Sequence, residues 1–230
     1  MSTTNEKGSG PQALDENSRR ISLLPKWLLF LVGLTLIWIY CYRISANVLV
    51  WEEPRRCLVA SEMIHRGDYI VPRDVGEPYR NKPPLQNWLI ILLAGNRADR
   101  IGPVAIRSIS LLSLLGITGF LVYLRRNPKN TAVAWLPALI FLTMGIIVQY
   151  GRVGELDPLF TFWVVSSISC FEIGRRRQWP WLQWFLSQAL LAGGILTKGL
   201  APLFFYPPVI YLIFKDRYKT PFSVKPFLFK

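Results

Sequence analysis

The chain has 230 residues, of which 51% are hydrophobic and 18% are charged, and its formal net charge is +13. The charged fraction lies below the roughly 25% of soluble domains, and the apolar residues stand in long blocks instead of amphipathic alternation. Such blocks predict membrane spans and argue against an ordinary soluble domain. The positive charge alone would fit nucleic-acid binding, but its placement along the chain, described below, argues against a nucleic-acid partner.

The N-terminal 22 residues are polar and rich in Ser, Asn, Glu and Gly. This composition predicts a disordered tail, residues 1–22. Three basic residues, Arg19, Arg20 and Lys26, then precede the apolar run from Trp27 to Tyr42. We interpret that run as an uncleaved first span, with a cleaved signal peptide as the alternative.

Six spans are predicted, with an outer loop over 44–102 between the first and the second, and a tail over 215–230. The six are 24–43, 103–124, 132–150, 157–174, 181–197 and 200–214. The apolar stretch 85–95 has only 11 residues. It is too short to cross about 30 Å of hydrocarbon at about 1.5 Å per residue. We therefore expect an interfacial helix there.

Basic residues form four clusters between the predicted spans. The clusters are Arg19-Arg20-Lys26, Arg125-Arg126-Lys129, Arg175-Arg176-Arg177 and Lys215-Arg217-Lys219. Six crossings with a cytoplasmic N-terminus place all four on the cytoplasmic side, as the positive-inside rule requires. A full crossing by 85–95 would break that alternation. Most of the positive charge is thus explained by topology in a lipid bilayer.

The same topology brings a set of ionisable residues to the outer membrane surface. They are Glu52, Glu53, Lys82, Arg152, Glu155, Asp157 and Lys198. Ionisable groups at span ends are costly when poorly hydrated, so their grouping predicts a functional site. The structural alternative is that they are solvated loop charges and span-end anchors.

Three motifs in the outer loop, and two later segments, carry a family resemblance. The loop contains Trp51-Glu-Glu-Pro-Arg-Arg, Gly67-Asp-Tyr-Ile-Val-Pro and Lys82-Pro-Pro-Leu-Gln-Asn-Trp; later come Arg152-Val-Gly-Glu-Leu-Asp-Pro and Leu196-Thr-Lys-Gly. In order and spacing they resemble the polyprenyl-phosphate-sugar glycosyltransferases of the GT-C fold. The most similar groups are the aminoarabinose transferases that modify lipid A and the protein mannosyltransferase-like family.

The resemblance implies an all-α polytopic membrane protein with a GT-C-like transmembrane module over 23–214, its outer loop holding short interfacial helices. It implies an inverting transferase that moves a sugar from a polyprenyl phosphate to a lipid, glycan or protein acceptor. The expected site is the outer face of a bacterial inner membrane.

Residue roles follow from the matched motifs. The family's first acidic residue maps to Glu52, the expected catalytic base, with Glu53 as the alternative. Lys82 is expected to stabilise the departing phosphate. Asp157 would orient the acceptor.

Four further residues are expected to contact substrate: Arg55, Arg152, Tyr79 and Lys198. Both arginines could clamp phosphate in a forked geometry, and Lys198 is either a phosphate contact or a snorkelling span-end lysine. No cofactor is implied with certainty. A divalent metal cation held by Asn81 and Asp157 is an option.

The sequence departs from the family pattern at two site positions and in length. Glu52 stands where the family usually has Asp, and Asn81 stands where an acidic residue usually precedes Lys-Pro-Pro. Family members typically have about twice as many spans and a soluble C-terminal domain, so the chain resembles an N-terminal module or a fragment. The alternative function is a catalytically silent membrane module that binds lipid-linked sugar or a partner subunit. A transporter would need polar groups at mid-membrane, where the predicted spans have almost none.

Overall fold

The computed structural model describes residues 26–42, 44–46, 48–125 and 131–219. The predicted N-terminal tail, the basic residues Arg126 and Lys129, and the last part of the predicted C-terminal tail (220–230) lie outside the described residues. The fold below is that of the described part.

The transmembrane part begins with α1 (Lys26–Cys41), α4 (Pro103–Leu124) and the pair α5 (Thr131–Thr143) and α6 (Gly145–Gly151), followed by α7 (Leu156–Arg177). Among the described residues, α4 and α7 are long and apolar enough to cross a membrane, and α5 with α6, bent by 71°, would be a third span if the pair is one. The predicted spans 103–124 and 157–174 are thus found as single helices. The total of six spans stays a prediction.

The last two predicted spans are not uniform α-helices. A π-helical stretch, Trp181–Leu186, leads into α8 (Ser187–Lys198), and a 3₁₀ turn, Ala201–Phe205, precedes α9 (Pro207–Lys219). Gly199 ends α8 at a φ of 65°, a conformation that glycine adopts without steric cost. Helix α9 continues past residue 214, where the predicted span ends.

The outer segment, residues 44–102, contains α2 (Glu53–Arg66), α3 (Leu85–Leu93) and a 3₁₀ turn, Ala98–Arg100. It also contains a two-stranded antiparallel hairpin of β1 (Arg73–Asp74) and β2 (Glu77–Pro78), in which Arg73 faces Pro78 and Asp74 faces Glu77. Val75 and Gly76 both have positive φ, as tight two-residue hairpin turns require. The expectation of helices alone missed this hairpin, because two-residue strands carry no alternation pattern.

The outer segment packs directly onto the transmembrane helices. Its apolar core joins Val59 and Met63 of α2, Ile90 of α3, Ile106 of α4 and Leu159 of α7. Helix α3 has nine residues, and Gln86 and Asn87 in its first turn are buried. This packing holds the start of α2 against the turn before α7, which is where the candidate site lies.

Candidate functional site

Glu53 forms the buried centre of the site's framework. Its carboxylate is fully buried and pairs in a forked geometry with Arg107 of α4, with Nε–Oε1 and Nη2–Oε2 distances of 2.9 Å each. Two backbone amides also donate to it, that of Val50 at 2.9 Å and that of Gly154 at 2.7 Å. Burial opposes ionisation, but these hydrogen bonds outweigh it and hold the pKa of Glu53 below its ordinary value.

Arg107 also ties down the chain that leads from α1 to the site. Its Nη1 donates to the carbonyls of Ile44 and Ala46 at 3.3 and 3.1 Å, and its Nη2 donates to that of Val48 at 2.7 Å. A guanidinium has five donors in a fixed planar fork, and within the described ranges this one donates to Glu53 and to three carbonyls. The segment before Glu52 is thereby fixed to α4.

Glu52, next in the chain, has the opposite surroundings. Its side chain is 45% exposed and accepts a hydrogen bond from Arg55 Nη1 at 3.0 Å. Arg55 in turn lies 3.4 Å from an oxygen of Asp74 in the hairpin, measured from its Nε. Glu52 therefore presents a carboxylate to the outside, while Glu53 beside it is enclosed.

Glu155, in the turn before α7, lies between Glu52 and Asp157. Its half-buried carboxylate lies near the backbone N–H of Glu52. Burial, and then the carboxylates of Asp157 and Glu52, raise the pKa of Glu155, against the opposite effect of that N–H and of the nearby Arg56. Arg56 is only 4% exposed. The sequence placed Glu155 at the outer surface without a role and gave no signal for Arg56, since burial of an arginine cannot be read from a motif.

Asp157 and Lys198, which are 41 residues apart, meet as an ion pair. The ammonium of Lys198 also lies 5.1 Å from the centre of the Phe160 ring. The structure thus brings together two of the residues singled out in the sequence. The pairing leaves open both roles of Lys198, as an anchor and as a phosphate contact.

The remaining predicted residues surround this group. Lys82 is half-buried and precedes α3, where Gln86 Nε2 donates to the Gly154 carbonyl at 3.1 Å. The Tyr79 side chain packs against the core cluster of the outer segment. The Arg152 guanidinium lies 5.8 Å from the centre of the Tyr42 ring.

The donor set fits a divalent cation poorly. Within the described ranges, no three His, Cys, Asp or Glu side chains are grouped so that they could hold a metal ion. Asn81 is exposed, and the Asp157 carboxylate is already engaged by Lys198. A metal at Asn81 and Asp157 therefore stays a prediction from the family resemblance alone.

A mainly apolar cavity of about 280 Å³ opens beside Asp157, between α4, α5, α6 and α7. Its lining residues are Leu114, Ile117, Phe141, Ile146, Ile147, Tyr150, Asp157, Pro158 and Thr161. Asp157 thus belongs both to the group of charged residues and to the apolar cavity between the helices.

Solved structures and curated relatives resemble this chain. The crystal structure of ArnT from Cupriavidus metallidurans bound to undecaprenyl phosphate superposes with a TM-score of 0.69 at 20% identity, over 84% of this chain and 36% of that one. The apo structure of the same protein superposes with a TM-score of 0.65. These matches show the GT-C fold over the described helices.

Undecaprenyl phosphate-alpha-4-amino-4-deoxy-L-arabinose arabinosyl transferases are similar in sequence. The one from Yersinia enterocolitica is 28% identical over 75% of this chain and 32% of its own length. One from Pseudomonas fluorescens is 27% identical over 90% of this chain and 36% of its own length. The chain thus spans about a third of the length of the curated relatives it matches.

The family model described as dolichyl-phosphate-mannose-protein mannosyltransferase matches residues 81–229. That range is more than half of the chain and includes Lys82, Asp157 and Lys198 of the site. The chain therefore belongs to the dolichyl-phosphate-mannose-protein mannosyltransferase family of membrane glycosyltransferases.

Proposed function

We propose that this chain transfers a sugar from a polyprenyl-phosphate donor to an acceptor at the outer face of the inner membrane, with its N-terminus in the cytoplasm. One observation carries the proposal. Glu52 is an exposed carboxylate next to a fully buried one, Glu53, which accepts from the Gly154 amide in the turn that leads to Asp157. The relatives' names support a lipid-linked sugar as donor, and the acceptor is a lipid, a glycan or a protein.

Glu52 is the base in this mechanism. The acceptor oxygen attacks the sugar carbon as the bond from that carbon to the phosphate oxygen breaks, and Glu52 takes the acceptor's proton. Glu53 is unsuited to this role, because Arg107 and two backbone amides occupy its carboxylate and burial keeps acceptors away. We assign Glu53 to holding Glu52 in place.

The departing phosphate gains negative charge and needs nearby cations. Lys82 supplies a compact charge for this purpose, and no ion-pair partner occupies it among the described residues. Arg55 is exposed beside Glu52 and can turn towards the phosphate. Arg152, Tyr79 and Lys198 are assigned to binding the donor, and Asp157 to orienting the acceptor. This mechanism needs no metal cation.

A second candidate is a silent module that binds lipid-linked sugar or a partner subunit. Two observations favour it, namely Glu52 in place of the family's Asp and the exposed Asn81 in place of an acidic residue. An extra methylene displaces the carboxylate by about 1 Å, and misplacement of that size costs up to about a hundredfold in rate.

Sugar transfer by membranes that contain the full chain tests both candidates. Radiolabelled polyprenyl-phosphate sugars are supplied, and the wild type is compared with Glu52→Gln and Lys82→Ala. Glu77→Gln, an exposed glutamate in the hairpin of the same outer segment, is the matched control. We expect transfer that both site variants abolish and the control retains.

Absence of transfer from every donor, with the protein inserted and folded, would refute catalysis by this chain. Retention of labelled donor by the wild type in that case would favour the silent binding module. Transfer that survives Glu52→Gln would refute the assignment of the base.

A further inference from the structure

The C-terminal ends of α4, α7 and α9 lie together, at the opposite end of α7 from the candidate site. Leu124, at the end of α4, packs against an apolar cluster that contains Ile173 of α7 and Leu182 of the π-helical stretch. Arg175 Nη1 of α7 lies 3.3 Å from an oxygen of Asp216 in α9. Basic residues that are far apart in the sequence therefore share one small region of the surface.

The carboxylates in this region neutralise only some of its arginines. Glu172 accepts from Arg175 Nε at 2.7 Å and from Arg176 Nε at 2.5 Å. Arg177, at the end of α7, and Arg125, directly after α4, are exposed and form no ion pair among the described residues. The charges of these two guanidiniums are therefore available to an anion from outside the chain.

Two aromatic rings hold Arg177 in place. Its guanidinium carbon lies 5.6 Å from the centre of the Tyr123 ring in α4 and 5.1 Å from that of the Trp179 ring, within the range of cation–π attraction. Both rings are partly exposed, at 38% for Tyr123 and 43% for Trp179. Tyrosine and tryptophan favour the headgroup level of a bilayer, so this guanidinium is fixed at the depth of the lipid phosphates.

Helix C-termini repel anions, because each carries about half a negative charge. The described side chains at these three helix ends outweigh that effect with five basic and two acidic groups, a net charge of +3. They are Arg125, Arg175, Arg176, Arg177 and Lys215 against Glu172 and Asp216. The end of α7 is also capped, since Gln178 Nε2 donates to the Arg175 carbonyl and the Trp179 amide to the Gly174 carbonyl. The region therefore stays attractive to an anion.

We propose that Arg177, together with Arg125, binds the phosphate of an anionic phospholipid in the leaflet at this end of the helices. Basic clusters at the headgroup level attract anionic lipids, and the side chains of Trp181 and Phe185, which are 60% and 76% exposed, give the acyl chains an apolar surface. This lipid site is separate from the proposed sugar transfer and does not depend on it. It gives Arg177 a role beyond setting the topology.

Native mass spectrometry of the full chain tests the lipid site. The protein is released from detergent micelles that contain increasing amounts of dioleoyl phosphatidylglycerol, and an apparent Kd is measured. Dioleoyl phosphatidylcholine, which has the same acyl chains and no net charge, is the reference lipid. We expect the wild type to prefer phosphatidylglycerol by about fivefold or more, and Arg177→Gln to weaken its binding by about fivefold. Equal affinity of the wild type for the two lipids would overturn the proposal.

Arg176→Gln is the matched control, because it removes the same charge from the neighbouring position, where Glu172 already pairs with the guanidinium. It should weaken binding by less than about twofold. Equal weakening by Arg176→Gln and Arg177→Gln would indicate diffuse attraction and overturn the assignment to Arg177. An excess of inorganic phosphate should not displace the lipid, since it lacks acyl chains, and displacement would overturn a phospholipid as the occupant.

Discussion

At the residue scale, the two adjacent glutamates have opposite surroundings, and these give them different contributions to stability. Glu52 is 45% exposed with one arginine beside it, whereas Glu53 has no exposed surface and accepts from an arginine and two amides. An exposed ion pair contributes about 0–1 kcal/mol to stability. Removal of one partner from a buried pair costs about 3–5 kcal/mol, because the other charge stays buried without compensation.

The same conservative substitution at the two positions should therefore have different effects on stability. We expect Glu53→Gln to lower the free energy of unfolding by about 3–5 kcal/mol, and Glu52→Gln, its matched control, to change it by less than about 1 kcal/mol. Denaturant titration in detergent measures both. Arg107→Gln should cost less in the Glu53→Gln background than in the wild type. Equal effects at positions 52 and 53 would contradict a stabilising role for the buried Glu53–Arg107 ion pair.

Because the pKa of Glu53 is lowered, the stability contributed by the Glu53–Arg107 pair should depend on pH. A carboxyl whose pKa is lower in the folded than in the unfolded state contributes stability that is complete above the unfolded value, here about 4.5. That contribution declines as the pH falls below this value and through the folded pKa. The difference in unfolding free energy between wild type and Glu53→Gln should therefore be largest above pH 4.5 and shrink below it. A difference between the two unfolding free energies that grows on acidification would contradict the lowered pKa of Glu53.

The positions of the candidate site residues could be predicted where a motif contains them. The acidic pair, Lys82 and the Asp157 region were identified from residue order and spacing, and the structure joins Asp157 to Lys198. The different burial of Glu52 and Glu53 could not be predicted, because Glu53 is enclosed by its ion pair with Arg107, 54 residues further along the chain. Glu155 was placed in the site without a role and Arg56 was missed for the same reason, since burial is a property of packing.

At the element scale, hydropathy located apolar stretches but not their bends. The prediction of 103–124 matches α4 (Pro103–Leu124), whereas the stretch 132–150 divides at Met144, which has an extended ψ of 127°. The bend brings α6 close to its neighbours. A Cβ at Gly151 would collide with Leu114 Cδ1 and would lie 2.7 Å from Tyr40 Cε1. A window average of hydropathy carries no information about such close packing.

The bend needs a partner for the carbonyl groups that it exposes. The hydroxyl of Tyr40 in α1 donates to the carbonyl of Leu142, two residues before the bend, at 2.8 Å. In hydrocarbon no water can replace such a donor. The hydroxyl of Tyr40 therefore supplies a hydrogen bond at the bend, in addition to the apolar packing of α1 against the bent pair.

Tyr40→Phe should destabilise the protein by about 1–3 kcal/mol, the cost of a buried acceptor left unpaired. Tyr211→Phe in α9 is the matched control, because that side chain is exposed and loses the same hydroxyl. Tyr211→Phe should leave the stability of the protein almost unchanged. Thermal unfolding in the same detergent compares the two variants. A neutral Tyr40→Phe would mean that the Leu142 carbonyl has another donor.

At the scale of the whole molecule, the proposed site requires the outer segment and the cytoplasmic ends of α4 and α7 to lie on opposite sides of the membrane. Helix α3 (Leu85–Leu93) would span only about 14 Å at about 1.5 Å per residue, less than half of the hydrocarbon thickness. Its buried polar residues Gln86 and Asn87 pack inside the protein. Both features favour a helix that does not cross, which keeps Arg175, Arg176 and Arg177 inside.

Cysteine labelling in intact cells tests this arrangement. In a Cys41→Ser background, the remaining native cysteines, Cys57 and Cys170, are buried. Ile70→Cys, at a position 81% exposed in the outer segment, should react with a membrane-impermeant maleimide added outside. Arg176→Cys, also exposed, should react only after the cells are opened. Reaction of Arg176→Cys in intact cells would mean that α3 crosses the membrane and that Asp157 and Lys198 lie on the opposite side from Glu52, which would dismantle the proposed site.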